Sequence, residues 1–145
     1  MKVKQRFTLP VAVLLMARRK DEVLLIRRHN TGWQDGKYSL VAGHIDGNES
    51  LIKAVCREAY EEVGIVVDPA DVSLAHTAHL NSNKEYLHFF FETKKWKGEP
   101  ENKEPQKCDD VSWFSLSKLP PEVASDVLPV LQLYKQGIRY SETGW

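Results

Sequence analysis

Six consecutive residues, Tyr86-Leu87-His88-Phe89-Phe90-Phe91, form a run too continuously apolar to leave either face of a strand in water. Side chains of a strand alternate between its two faces, so such a strand needs cover on both. Two other segments have the period of a covering helix. From about Ser50 to Val63, the residues Leu51, Ala54, Val55 and Ala59 recur every three to four positions, and Gly64 follows as a stop. Between Pro121 and Gly137, the residues Val123, Val127, Val130, Leu131 and Tyr134 have helical spacing, with Pro129 placed to weaken or start a turn. The remaining apolar runs read as strands. Val11–Ala17 and Val23–Ile26 flank the polar turn Arg18–Asp21 and are expected to pair as a hairpin. Tyr38–Val41, Val72–Leu80 and Val111–Phe114 complete the set. Strands in mixed order with two helices indicate the α/β class, a sandwich around a mixed sheet. The 145 residues suit one domain, 1–145.

Charge and composition narrow the function. Twenty Lys+Arg balance twenty Asp+Glu, which argues against an electrostatic nucleic-acid binder and against a polybasic membrane-surface protein. With 42% hydrophobic and 28% charged residues, the chain is globular rather than disordered. No apolar run reaches the roughly 20 residues that span a bilayer. The first twenty residues read as a strand and not as a signal peptide. Cys56 and Cys108 form neither a disulfide framework nor a metal set, so the expected location is the reducing cytoplasm.

The chemistry concentrates in Gly43–Ile65, GHIDGNESLIKAVCREAYEEVGI. Glu58, Glu61 and Glu62 stand at i, i+3 and i+4 and share one helix face. Lys53 is the only lysine on that helix, so the mutual repulsion of the three carboxylates is not relieved along the face. Arg57 is spaced to pair with Glu61 and to reach back to Glu49 at the helix entrance. A divalent cation relieves such a cluster, and oxygen ligands favour Mg²⁺ or Mn²⁺ over zinc. Solvated acidic helices are also common, so the three glutamates alone leave both readings open.

Gly43, Glu49 and the run Arg57-Glu58-Ala59-Tyr60-Glu61-Glu62-Val63-Gly64-Ile65 together resemble the complete Nudix box, with Ala59 at its aliphatic position. The resemblance implies an α/β/α sandwich in which the box forms loop–helix–loop. It implies hydrolysis of a nucleoside diphosphate linked to another group. It assigns Glu58, Glu61 and Glu62 as metal ligands, Arg57 and Glu49 as the pair that orients them, and the carbonyl of Ala42 as a further ligand. Many members carry Pro-Gly-Gly where this chain has Val41-Ala42-Gly43, and a carbonyl ligand requires no particular side chain. A second stretch, Trp96-Lys97-Gly98-Glu99-Pro100 followed by Lys103-Glu104, resembles a loop of the MutT-type nucleoside triphosphate pyrophosphohydrolases. That likeness adds Glu104 to the metal site. The implied reaction is attack of water on phosphorus, giving a nucleoside monophosphate and pyrophosphate, with Mg²⁺ as cofactor and Mn²⁺ as a substitute.

Other residues carry weaker expectations. Arg27 and Arg28 end the second strand and alternate between its faces, so one can reach a phosphate or a base. Trp33 and Trp113 are candidates to stack on a base, although a tryptophan in a short strand is more often core. Asp109 and Asp110 are expected to cap a turn. His76, His79 and His88 are expected to be structural, because 76 and 79 point to opposite faces of a strand and no cysteine pair joins them. Cys56 is expected to be buried opposite the glutamates. The aromatic end Tyr140–Trp145 packs on the fold or on a second subunit. A small-molecule nucleotide is the expected partner, with no nucleic acid or membrane, for a monomer or homodimer. Nucleotide sugars and other nucleoside diphosphate derivatives remain alternative substrates. A non-catalytic nucleotide-sensing module and a hydrolase of RNA ends are further alternatives.

Overall fold

The structure is a computed structural model and describes residues 2–145. Eight strands and two α-helices follow in the order β1 (Val11–Arg19), β2 (Glu22–Arg28), β3 (Tyr38–Ser39), β4 (Val41–His44), α1 (Leu51–Val63), β5 (Ser73–Asn81), β6 (Glu85–Thr93), β7 (Cys108–Ser115), α2 (Leu128–Lys135) and β8 (Tyr140–Thr143). The sheet is mixed: β6 runs parallel to β1 and β8 parallel to β5, and the other pairings are antiparallel. The expected α/β sandwich is present. One core, with Leu14, Met16, Leu25, Phe90 and Leu131, packs under α2. The other, with Val13, Leu15, Leu24, Phe91, Val55 and Ala59, packs under α1. Phe90 and Phe91 go one to each core, which is the two-sided burial that their sequence demands.

Several boundaries differ from the sequence reading, each for a reason in the pairing. The hairpin of β1 and β2 is closed only at its turn, by Arg18 with Val23 and Arg19 with Glu22. Beyond the turn the strands part, and β4 takes the freed edge of β1. The expected strand Tyr38–Val41 breaks at buried Leu40, because β3 pairs with β2 while β4 pairs with β1. Strand β7 starts at Cys108, so Asp109 and Asp110 lie in a strand and not in a turn. Arg27 holds Asp109 at 2.6 Å, and Asp110 accepts from the Tyr38 hydroxyl and from Ser112 Oγ. The second helix begins only at Leu128, with Pro129 in its first turn, where a missing N–H costs nothing. Residues 2–10 precede β1 and form no strand.

The aromatic end packs on the fold. It adds β8 to the edge of β5, and Trp145 lies 4.6 Å from the ring of His79. His76 is fully buried beneath this edge, its Nδ1 2.9 Å from the carbonyl of Ile138 and its Nε2 2.8 Å from Ser141 Oγ. That accounts for it as a structural histidine. No helix is long and apolar enough to cross a membrane among the described residues.

Candidate active site

Helix α1 is held at both ends. Ser50 Oγ accepts the backbone N–H of Lys53 at 3.2 Å, and Gly64 ends the helix in the left-handed region, φ 75°, with its N–H on the Tyr60 carbonyl. Ala54, Val55, Ala59 and Val63 are buried against the sheet. Cys56 is half-buried along the same core. With the helix fixed in this roll, Glu58 and Glu62 meet β4. The backbone N–H of Ala42 donates to Glu62 Oε2 at 2.9 Å. Gly43 abuts Glu58 so closely that a Cβ there would run into the carboxylate.

Arg57 organises the other acids. Its guanidinium reaches Glu49 at 2.7 Å, Glu58 at 2.9 Å and Glu61 at 3.3 Å. Its hydrogen bonds hold the Glu49 carboxyl below the usual range. Burial instead pushes Glu58 up, with the charges of Glu61 and Glu104 adding to burial and Arg57 opposing it. Glu62 is pushed up further, first by burial and then by Glu58 and Glu104, against the Ala42 N–H and the charge of Arg28.

Glu104 comes from the 94–107 loop and joins this group in space. The loop is stitched to the end of α1: the N–H groups of Glu101 and Lys103 donate to the carbonyls of Val63 and Glu62 at 2.9 and 3.0 Å. Helix carbonyls without intrahelical partners are satisfied in this way. Asn102 fixes the turn itself, accepting from the Glu104 N–H at 3.1 Å and donating to the Cys108 carbonyl at 2.6 Å.

The donors suit a hard divalent cation. They are all oxygens, and the enclosed Glu62 carboxyl has one hydrogen bond and two acidic neighbours. As placed, no three acidic, histidine or cysteine side chains converge tightly enough to hold one ion among the described residues. Arg57 draws Glu58 and Glu61 toward itself instead.

On the other side of β4 lies a cavity of about 690 Å³. Ala12 and Leu14 of β1, Ala42 and His44 of β4, Tyr86 and His88 of β6 and Asp126 before α2 contribute to its wall. Arg28 and Trp33 stand there too, the guanidinium 4.9 Å from the indole centroid and bonded to the Trp33 carbonyl at 2.6 Å. Arg28 therefore faces both the cavity and the charge of Glu62.

The structure thus brings Glu49, Arg57, Glu58, Glu61, Glu62, Glu104 and Ala42 into one neighbourhood, with Arg28 and Trp33 on the cavity beside it. Arg27 and Trp113 do not line that cavity. Arg27 is paired to Asp109, and Trp113 stacks on Trp96 at 5.7 Å beneath the Arg19 guanidinium. The sequence reading did not single out Asp126 or His44, and it took His88 as structural. Only the pairing of β6 beside β1 and the turn before α2 bring them to one cavity.

Known proteins resemble this chain in sequence and in fold. An NAD-capped RNA hydrolase NudC of Pseudomonas aeruginosa is 32% identical over 116 residues, covering 76% of this chain and 37% of that protein. The chain spans about two fifths of the length of the NudC relatives it matches. The 8-oxo-dGTP diphosphatase of Escherichia coli is 30% identical over 109 residues, covering 74% of this chain and 81% of that protein. Among solved structures, a MutT NUDIX hydrolase from Burkholderia pseudomallei superposes with a TM-score of 0.80 at 25% identity, over 87% of this chain and 98% of that one. A NUDIX hydrolase from Nitrosomonas europaea gives a TM-score of 0.75 at 26% identity, over 92% and 93%. The family of the NUDIX domain matches residues 7–134, which include every acidic residue gathered around α1, and the chain belongs to that family, on its MutT-like side.

Proposed function

We propose that this chain is a Mg²⁺-dependent pyrophosphohydrolase of nucleoside triphosphates, with Mn²⁺ as a substitute, releasing a nucleoside monophosphate and pyrophosphate. One observation carries the reading. The short strand β4 has the carboxylates of α1 against its backbone on one side and a nucleotide-sized cavity on the other. A base in the cavity leaves its phosphates at the edge of β4, beside the acids.

The carboxylates of Glu58, Glu61, Glu62 and Glu104 and the carbonyl of Ala42 would hold the cation. When bound, it would neutralise the phosphate charge and acidify a water. Arg57, anchored by Glu49, fixes the direction of Glu58 and Glu61. Burial leaves the cluster carboxylates with raised proton affinity, which suits one of them to take the proton of the attacking water. Arg28 faces the cavity beside Glu62 and offers a fork of donors to a phosphate. The water oxygen bonds to phosphorus as the bridging P–O bond breaks and pyrophosphate leaves. The two free cysteines fit a cytoplasmic location, and the chain would act on small nucleotides as a monomer or homodimer.

The test is a panel of nucleoside triphosphates, nucleotide sugars, dinucleoside polyphosphates and capped RNA in Mg²⁺, with Glu62→Gln as the blank. Turnover of triphosphates, lost in the variant and in chelator, is the expected result. Preferred turnover of capped RNA or of a nucleotide sugar would replace the substrate class. Tight nucleotide binding without turnover of any compound would favour a sensing module.

A further inference from the structure

The ends of β1 and β6 share a second concavity, of about 480 Å³, lined by Arg18, Arg19, Lys20, Lys94, Lys95 and Trp96. Five of these six side chains are cationic and none is acidic, in a chain whose charges balance. None of the six lines the larger cavity, and none belongs to the acidic group around α1. The cluster is a product of the fold. Strands β1 and β6 run parallel with Ala17 opposite Thr93, so the residues that follow each strand emerge side by side. Two basic stretches far apart in the sequence meet there, and a balanced total charge conceals them.

The cations are held in place from beneath. The Arg19 guanidinium lies 4.3 Å from the Trp113 ring centroid, and Trp113 in turn stacks on Trp96 at 5.7 Å. A stacked guanidinium keeps its edge N–H groups free for an anion. Arg18 donates to the carbonyls of Glu22 and Lys20 and to the Tyr134 hydroxyl, which fixes the turn that carries Lys20. Thr93 is 2% exposed and fixes Lys95, its hydroxyl donating to the Lys95 carbonyl at 2.9 Å and accepting the Lys95 N–H at 3.3 Å. Arg19 has one acidic neighbour, Glu22 at 3.5 Å, and Lys20, Lys94 and Lys95 form no ion pair among the described residues. Like charges gathered without counter-charge repel one another, and a multivalent anion relieves that repulsion.

Charge and extent define the ligand. The basic surface is compact: Glu22 borders it beside Arg19, and the loop that follows Lys95 turns acidic at exposed Glu99 and Glu101. A long nucleic-acid strand would have to run over those acids. A lone phosphate carries at most about two charges at pH 7 and leaves cations of this group unpaired. We propose that the β1–β6 end is an anion site for a short chain of phosphates, two or three joined by P–O–P bonds, held by Arg19, Lys20, Lys94 and Lys95. The site is separate from the acids of α1 and does not depend on what they hydrolyse.

The experiment measures equilibrium binding of orthophosphate, pyrophosphate, tripolyphosphate and a thymidine oligonucleotide to the full chain in EDTA at low salt. Affinity should rise about fivefold with each added phosphate. It should fall at least about tenfold when salt is raised to about 0.3 M. The double variant Lys94→Glu/Lys95→Glu should weaken tripolyphosphate binding at least about tenfold, and Lys20→Glu, on the other strand, about fivefold. Lys2→Glu/Lys4→Glu changes the net charge as much as the first double variant and should leave binding unchanged. All these lysines are exposed, so Tm should hold, and kcat/KM for nucleoside triphosphates in Mg²⁺ should match wild type. No detectable binding at millimolar tripolyphosphate would overturn the proposal. So would full binding by Lys94→Glu/Lys95→Glu, which would put the anion elsewhere, or an equal loss in Lys2→Glu/Lys4→Glu, which would reduce the effect to net charge. Tighter binding of the oligonucleotide than of tripolyphosphate would overturn the compact ligand. A parallel loss of kcat/KM in the Lys94→Glu/Lys95→Glu protein would overturn the separation from the acids of α1.

Discussion

Gly43 and Glu58 are in such close contact that residue 43 has room for a hydrogen and no more on the side facing the helix. The obstacle to a larger residue is the far end of a flexible side chain, so the fold can yield but the carboxylate must move. Gly43→Ala should therefore fold with nearly wild-type thermal stability and lose roughly 100-fold in kcat/KM, the scale of a displacement of about 1 Å in a catalytic group. Thermal melts and steady-state kinetics on one preparation check both halves. A large drop in Tm with activity retained would contradict it.

Glu62 gives a prediction in chelator. Its folded pKa lies well above the ordinary carboxylate value, so the folded protein holds that proton more tightly than the unfolded chain does. The stability it contributes is therefore present at low pH and is lost as pH rises toward the folded value. Glu62→Gln should match wild type near pH 4 and exceed it in Tm near pH 8, both in EDTA. Added Mg²⁺ should raise the Tm of wild type and not of the variant, whose activity should be at background.

His88 has the opposite sign. With its folded pKa near 4 and an unfolded value near 6.5, the unfolded chain takes the proton first. Stability is full above 6.5 and falls as pH drops toward 4, by at most about 3 kcal/mol. Asp126 offsets part of this, since its raised carboxyl favours the folded state in acid. Urea titrations at pH 7.5 and 4.5 should show a smaller acid loss for His88→Gln than for wild type. Equal losses would mean that the imidazole is not desolvated.

Ser141→Ala removes the partner of the buried His76 Nε2. The cost should be about 1–3 kcal/mol in a denaturant melt, with kcat unchanged because the β5–β8 edge carries no acid of the α1 cluster. An intact melt would show that His76 finds water instead.

The layers and the acidic helix were legible in the sequence because they rest on short-range periods. The stripe of Ala54, Val55 and Ala59 fixes which way Glu58 and Glu62 face, and the length of the Phe89–Phe91 run demands two covered faces. Glu104 was found only through a likeness of loops, and its proximity to Glu58 and Glu62 depends on backbone bonds to the end of α1. What could not be read was the choice of neighbours. The apolar pattern of Tyr38–Val41 is the same whether one strand or two results, and only the parting of β1 from β2 creates the edge that β4 fills. Asp109 and Asp110 suit a turn by composition, but Arg27 and Tyr38 across the sheet hold them in β7. Asp126 sits in a segment whose helical spacing concealed it, because the helix starts two residues later.

The strand β4 is four residues long and shared by two tasks. Its amide and its missing side chain set the acids, while His44 borders the cavity. On the proposed function, side chains around the cavity can be exchanged to change the compound accepted, and the chemistry is left alone as long as the β4 backbone stays still. Any change that slides that backbone alters selectivity and rate together. Variants with altered preference should accumulate on β6, at the turn before α2 and at position 44, and spare Ala42 and Gly43.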